Sequence, residues 1–316
     1  MCKPGNGTAP VIKRKHSLLL TKESFDFSDE KTSDGKTPFT PAPTVISSYM
    51  TILFHVLVLC VIEYITNFVF GKFQHVHPLM EVEKNRGILA RHFGVDLYAL
   101  GTCSILGLKN ASVCKNVFDR AFGRSNSMPE AGYEARLFTY HPGAQQLLLF
   151  FLAYNVKNLY DSYVWEDGPE FIFHHVVSII VAWNGMYPGC CHFYAIFFMG
   201  ISEISTCILC ILASFDDEYG VVGLGAAFPI TKIVLGVVFA ISFIICRAIL
   251  WPLFSYYIMK DSRLAFKVKS EKLEGRKFAI IVILTICAAL TLLQAVWLVQ
   301  IIVQGRDEIM ALLEKS

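Results

Sequence analysis

The stretch Pro169–Trp183, PEFIFHHVVSIIVAW, is an apolar run that opens on two adjacent histidines, His174 and His175. Imidazole is poorly solvated in hydrocarbon, so a histidine in a spanning helix faces the bundle interior or a wet cavity and finds a polar partner there. If this run crosses a membrane, the pair marks a site, and the rest of the chain decides whether it does.

Across 316 residues the composition is 54% hydrophobic and 13% aromatic, with a mean hydropathy of +0.49, too apolar for a soluble domain of this length. Apolar segments near the length of about 20 residues that a bilayer core requires fall at approximately 47–70, 88–108, 145–165, 171–188, 191–213, 224–258 and 278–303. The expected fold is therefore an all-α, multi-pass transmembrane bundle of about seven spans. The second span, RGILARHFGVDLYALGTCSILGL, carries Arg91, His92 and Asp96 and reads as partly interfacial; the sixth is long, with Pro229 and Pro252 near its ends, where bending is expected.

A net charge of +2 gives no reason to expect nucleic acid, and the basic residues sit beside apolar segments. The loop KDSRLAFKVKSEKLEGRK holds seven Lys or Arg, which places it in the cytosol and the acidic loops WEDGPE and FDDEYG opposite. The ten cysteines are scattered, mostly in apolar runs, and neither Cys190–Cys191 nor Cys207-x-x-Cys210 has the spacing of a zinc site, so no metal is expected. Residues 1–46 read as a disordered polar tail without a signal-peptide core, leaving the first span as targeting signal, and the sequon at Asn6 reads as a chance match.

Polar residues inside the spans narrow the chemistry. Tyr154, Asn158 and Asp161 recur at helical spacing in the third span. Asp161 and His174 lie at similar depth on either side of a hairpin, so an Asp–His contact suited to general-base chemistry is expected. Glu203 sits near mid-membrane, where a carboxylate must be protonated, partnered or wet. Arg247 is placed to meet an anionic head group or phosphate, or to snorkel; with straight helices it lies roughly 20 Å from Glu203 in depth, so no direct bridge is expected. These groups together describe a lined tunnel.

The runs FFLAYNVKNLYD, FIFHHVVSIIVAWN, FFMGISEISTCIL and FAISFIICRAIL resemble the TLC-domain family of multi-pass membrane proteins, which includes ceramide synthases and several lipid-homeostasis proteins, over about residues 85–303. The resemblance implies a barrel of six spans behind an extra first helix, enclosing an acyl-chain cavity. It divides the chain into a tail (1–46), a first helix and loop (47–84), a TLC domain (85–305) and a short C-terminal tail (306–316). The implied catalytic set is His174, His175 and Asp161. The implied cavity lining is Tyr154, Asn158, Asn184, Glu203, Ser205, Thr206 and Arg247. Ceramide synthases use such histidines to move an acyl group from acyl-CoA to a sphingoid amine. Where they carry His-Asp-x-x-Asp, this chain has ISEIS (201–205), closer to TLC members not established as synthases.

Two functions follow as expectations. One is lipid or acyl-chain binding in an intramembrane cavity, serving membrane lipid homeostasis. The other is an acyl-CoA-dependent N-acyltransferase of sphingolipid metabolism, with acyl-CoA as co-substrate and no resident cofactor. Iron-dependent lipid hydroxylases need several H-x-x-H boxes and are set aside. The expected partners are membrane lipids and acyl chains, a homodimer is admitted but not required, and the resemblance points to the endoplasmic reticulum.

Overall fold

A computed structural model describes residues 43–124 and 132–314. Most of the expected polar tail, with Asn6, lies outside these residues. The described residues form helices and turns, without strands.

Among the described residues, seven long helical rods carry the fold. They are α1 (Val45–Lys72), α2 (Glu83–Leu89 continued through Ala90–Asp96 and Leu97–Lys109), α3 (Pro142–Val164), α4 (Pro169–Met186), α5 (His192–Ile196 continued through Phe197–Ile201 and Glu203–Ala213), α6 (Pro229–Phe243 continued through Ile244–Leu250 and Trp251–Val268) and α7 (Lys277–Glu314). Four of them, α1, α5, α6 and α7 up to Arg306, are long and apolar enough to cross a membrane. Only 17% of the apolar window of α1 is buried, so its exposed face, with Phe54, Ile65 and Phe68, is suited to lipid and not to water. The chain is an integral membrane protein. Rods α2, α3 and α4 are less apolar because of polar residues such as Asp96, Lys157 and the histidine pair, several of them buried. In α2 Asp96 is buried and points into the bundle.

Each rod packs on its neighbours in the order α2, α3, α4, α7, α6, α5 and back to α2, while α1 lies outside against α3 and the middle of α2. Where α2 crosses α5 the backbones touch: a Cβ on Gly107 would stand 2.6 Å from the Ile201 nitrogen, and one on Gly200 2.6 Å from the Gly107 Cα. Small residues let membrane helices approach this closely. Gly107→Val should therefore cost about 1–3 kcal/mol or more by overpacking, read as a lower midpoint of thermal unfolding in detergent. Gly101→Val, on the same rod with open space around it, should change little.

The sixth rod departs from expectation. Pro252 lies inside a continuous helix that runs to Val268, not near its end. Proline removes a backbone donor and crowds the preceding turn; here the preceding turn, Ile244–Leu250, is already widened to π-helical pairing, which accommodates the ring.

The loops define two ends. At the acidic end, Ile88, Leu89, Phe215, Val221 and Leu224 form a small core, and the Tyr219 ring stands 6.3 Å from that of Phe171. At the basic end a larger core contains Leu137, Phe138, Tyr194, Phe197, Trp251 and Phe254, with the Phe197 and Phe254 rings stacked at 4.0 Å. Arg136 holds Asp261 there through two bonds of 2.6 and 2.7 Å, and the Tyr194 hydroxyl donates to the same carboxylate.

Candidate functional site

Three π-helical turns interrupt the rods, and each places polar side chains in the bundle. Ala90–Asp96 carries Arg91, His92 and Asp96; Phe197–Ile201 leads into Ser202 and Glu203; Ile244–Leu250 carries Arg247. A π turn inserts a residue into the helical register and often marks a functional position.

Arg247 donates from Nη2 to Glu203 Oε1 at 3.2 Å and to Thr206 Oγ1 at 2.7 Å, and from Nε to Ser205 Oγ at 3.2 Å. Its guanidinium lies 4.8 Å from the centre of the Trp251 ring. The expectation of no direct Glu203–Arg247 bridge is thus corrected. That depth difference assumed straight helices meeting at FDDEYG. In the structure α5 ends at Ala213 and α6 starts only at Pro229, the residues between folding into the acidic-end cap. Counting from those ends, Glu203 lies about 15 Å deep and Arg247 about 27 Å at 1.5 Å per residue.

His175 is buried, and its Nδ1 lies 3.1 Å from Asn155 Oδ1, so Nδ1 carries the proton and Nε2 is left as the acceptor. His174 diverges from it, the ring centres 5.3 Å apart, as consecutive helical side chains must. His174 is exposed, unlike its buried neighbour. The charged groups acting on that ring are Glu203 and Arg247. Rods α4, α5 and α6 therefore bring His174, Glu203 and Arg247 to one region.

Asp161 does not join them. Its carboxylate accepts from Lys157 Nζ at 2.5 and 2.6 Å, and Lys157 reaches Glu63 of α1 at 2.7 Å. The expected Asp–His contact fails because Lys157, one turn away on the same helix, is nearer than the facing helix, and because His175 turns to Asn155, about 9 Å along α3 from Asp161 at 1.5 Å per residue. The polar stripe splits accordingly. Tyr154 and Asn158 donate instead to Asp96 Oδ1 at 3.0 and 3.3 Å, and His92 Nδ1 meets Asp96 Oδ2 at 2.9 Å. Arg91 forks onto Asp167 at 2.9 and 2.5 Å, tying α2 to the loop after α3. Asn184 stands apart near the basic end of α4, donating to the Ile180 carbonyl.

Sequence reasoning missed Asp96 as a hub, Lys157 and Glu63 as an ion-pair bridge, and Asn155 as the histidine partner. The first two had a signal, since charged residues inside apolar helices demand partners. Among the described residues no group of three or more His, Cys, Asp or Glu is arranged to hold a metal.

A family model described as the TLC domain matches residues 100–303, well over half of the chain. The chain belongs to the TLC-domain family. No curated protein and no solved structure gives a match. The TLC-domain match starts inside α2 and ends inside α7, so His174, His175, Glu203 and Arg247 fall within it. Glu63 and the first π turn, with Asp96, precede it, although both are bonded to TLC-domain residues of α3.

Proposed function

We propose that this TLC-domain protein binds a lipid or free acyl chain inside its ring of six helices and serves membrane lipid homeostasis. The observation that carries the reading is the buried Arg247, held by Glu203, Ser205 and Thr206 within a bundle of membrane-spanning helices. Apolar walls suit the chain, and the arginine, glutamate and imidazole together supply donors and acceptors for a polar head group. Arg247 is held by three partners, so it is preorganised and not free to snorkel.

The acyl-CoA-dependent N-acyltransferase is the second reading. In its favour, Glu203 is a carboxylate acting on His174, which could serve as the base toward an amine. Against it, Asp161 is engaged by Lys157 and orients neither histidine. The charge of the basic-end loops supports a cytosolic side for them, and the family resemblance supports the endoplasmic reticulum as the membrane.

The test is to supply purified wild type and His174→Ala with acyl-CoA and a sphingoid base, and to analyse product and retained lipid by mass spectrometry. Lipid binding predicts an enriched lipid in wild type and no amide product in either protein. An amide that forms with wild type and vanishes with His174→Ala would establish the transferase. Absence of both lipid and product would overturn both readings.

A further inference from the structure

We infer that the bound chain enters and leaves sideways, from the membrane leaflet at the acidic end, through an opening in the ring at α4, α7 and α6. The inference rests on the lipid-binding reading and adds the route. Both ends of the ring carry packed apolar cores. At the basic end the core of Leu137, Phe138, Tyr194, Phe197, Trp251 and Phe254 is buried. At the acidic end the segment between α5 and α6 folds over the top, with Phe215, Val221 and Leu224 packed into the core there and Tyr219 against Phe171.

The wall is not uniformly closed. In the acidic-end portions of three consecutive rods, residues 169–174 of α4, 229–238 of α6 and 295–306 of α7, no residue is buried. The same three rods are packed at the basic end, where Ala182, Ile258, Ala265, Ile280 and Ile283 are buried. On the other side of the ring α2 and α3 stay packed at the acidic end, with Ile88, Leu89, Asn158 and Asp161 buried, and α5 is intermediate, with residues 206–213 half-buried except for the exposed Leu209. Loss of packing is therefore greatest in the sector of α4, α7 and α6, and His174 lies within it. A polar head group entering there has Glu203 and Arg247 deeper in the bundle, while its chain extends toward the apolar middle.

The occupant is a bilayer lipid with an acyl chain and a polar head, not a second protein. The side chains around the opening include Phe173, Val176, Ile230, Val299 and Ile302, apolar and exposed on rods of a membrane-spanning chain, as a lipid-facing surface requires; the charged Glu170, Lys232 and Arg306 stand at its acidic-end rim, where a polar head lies.

The test uses the full chain in phosphatidylcholine vesicles containing a photoactivatable diazirine fatty acid, with adducts mapped by peptide mass spectrometry. Labelling of 169–180 and 291–302 should fall at least about fivefold on adding unlabelled fatty acid, because a site saturates, whereas labelling of the lipid-facing α1 should fall only with simple dilution. Val177→Trp combined with Leu298→Trp, two half-buried positions of α4 and α7, should slow the chase of bound label without changing the labelled positions of the interior. Saturable labelling at the basic-end loops 137–141 and 187–192, with none on α4 and α7, would overturn the lateral route and leave the lipid site standing. Absence of saturable labelling anywhere would overturn both.

Discussion

Arg247→Leu should lower the stability of the purified protein by about 3–5 kcal/mol, the cost typical of removing one partner from a buried ion pair. The substitution leaves the Glu203 carboxylate buried among α5 side chains without its guanidinium and removes the donors that Ser205 and Thr206 accept from. Leucine still fills part of the volume over Trp251, so the loss is electrostatic more than steric. The double variant Glu203→Gln with Arg247→Leu should recover most of the difference, since neutralising both partners removes the unpaired charge. Thermal unfolding followed by size-exclusion fluorescence in one detergent measures all three proteins. Equal midpoints for Arg247→Leu and wild type would show that the pair carries no weight in the fold.

Lys157→Met should produce a loss of similar size, about 3–5 kcal/mol, for the same reason with the sign reversed. Here one ammonium serves two carboxylates, Asp161 at 2.5 Å and Glu63 at 2.7 Å. Without it, Asp161 is a buried anion near a second anion on the adjacent α1. Because Glu63 is the partner on the outer helix, the variant should also loosen α1 from the ring, visible as faster proteolysis of the segment after α1. Glu63→Gln alone should be mild, as its side chain is 29% exposed and can be solvated or reach the interface. The combination of Lys157→Met, Asp161→Asn and Glu63→Gln should restore the midpoint toward wild type. If Lys157→Met alone leaves both the midpoint and the proteolysis unchanged, α1 is held by apolar packing and the bridge is incidental.

The helical class was legible because it depends on apolar length, a one-dimensional property: α1 begins at Val45 against an expected 47, and α5 runs from His192 to Ala213 against 191–213. Partners were less legible because they depend on where helices end and bend. One misplaced boundary, counting α6 from FDDEYG and not from Pro229, was enough to separate Glu203 from Arg247 on paper. The π turns had no signature in a pattern of period 3.6, and they shift register where Asp96, Glu203 and Arg247 sit. Asp161 shows a further limit: depth and hairpin logic brought it near His174, but a lysine four residues back on the same helix competed for it and won.

The central claim, a lipid held beside His174, Glu203 and Arg247, is tested most directly by lipid mass spectrometry on wild type and on the Glu203→Gln, Arg247→Leu double variant, which is expected to stay folded. The account predicts that one lipid class enriched with wild type over its membrane abundance returns to bulk composition in the double variant. The same enriched lipid in both proteins would contradict it, because the head group would then be bound elsewhere.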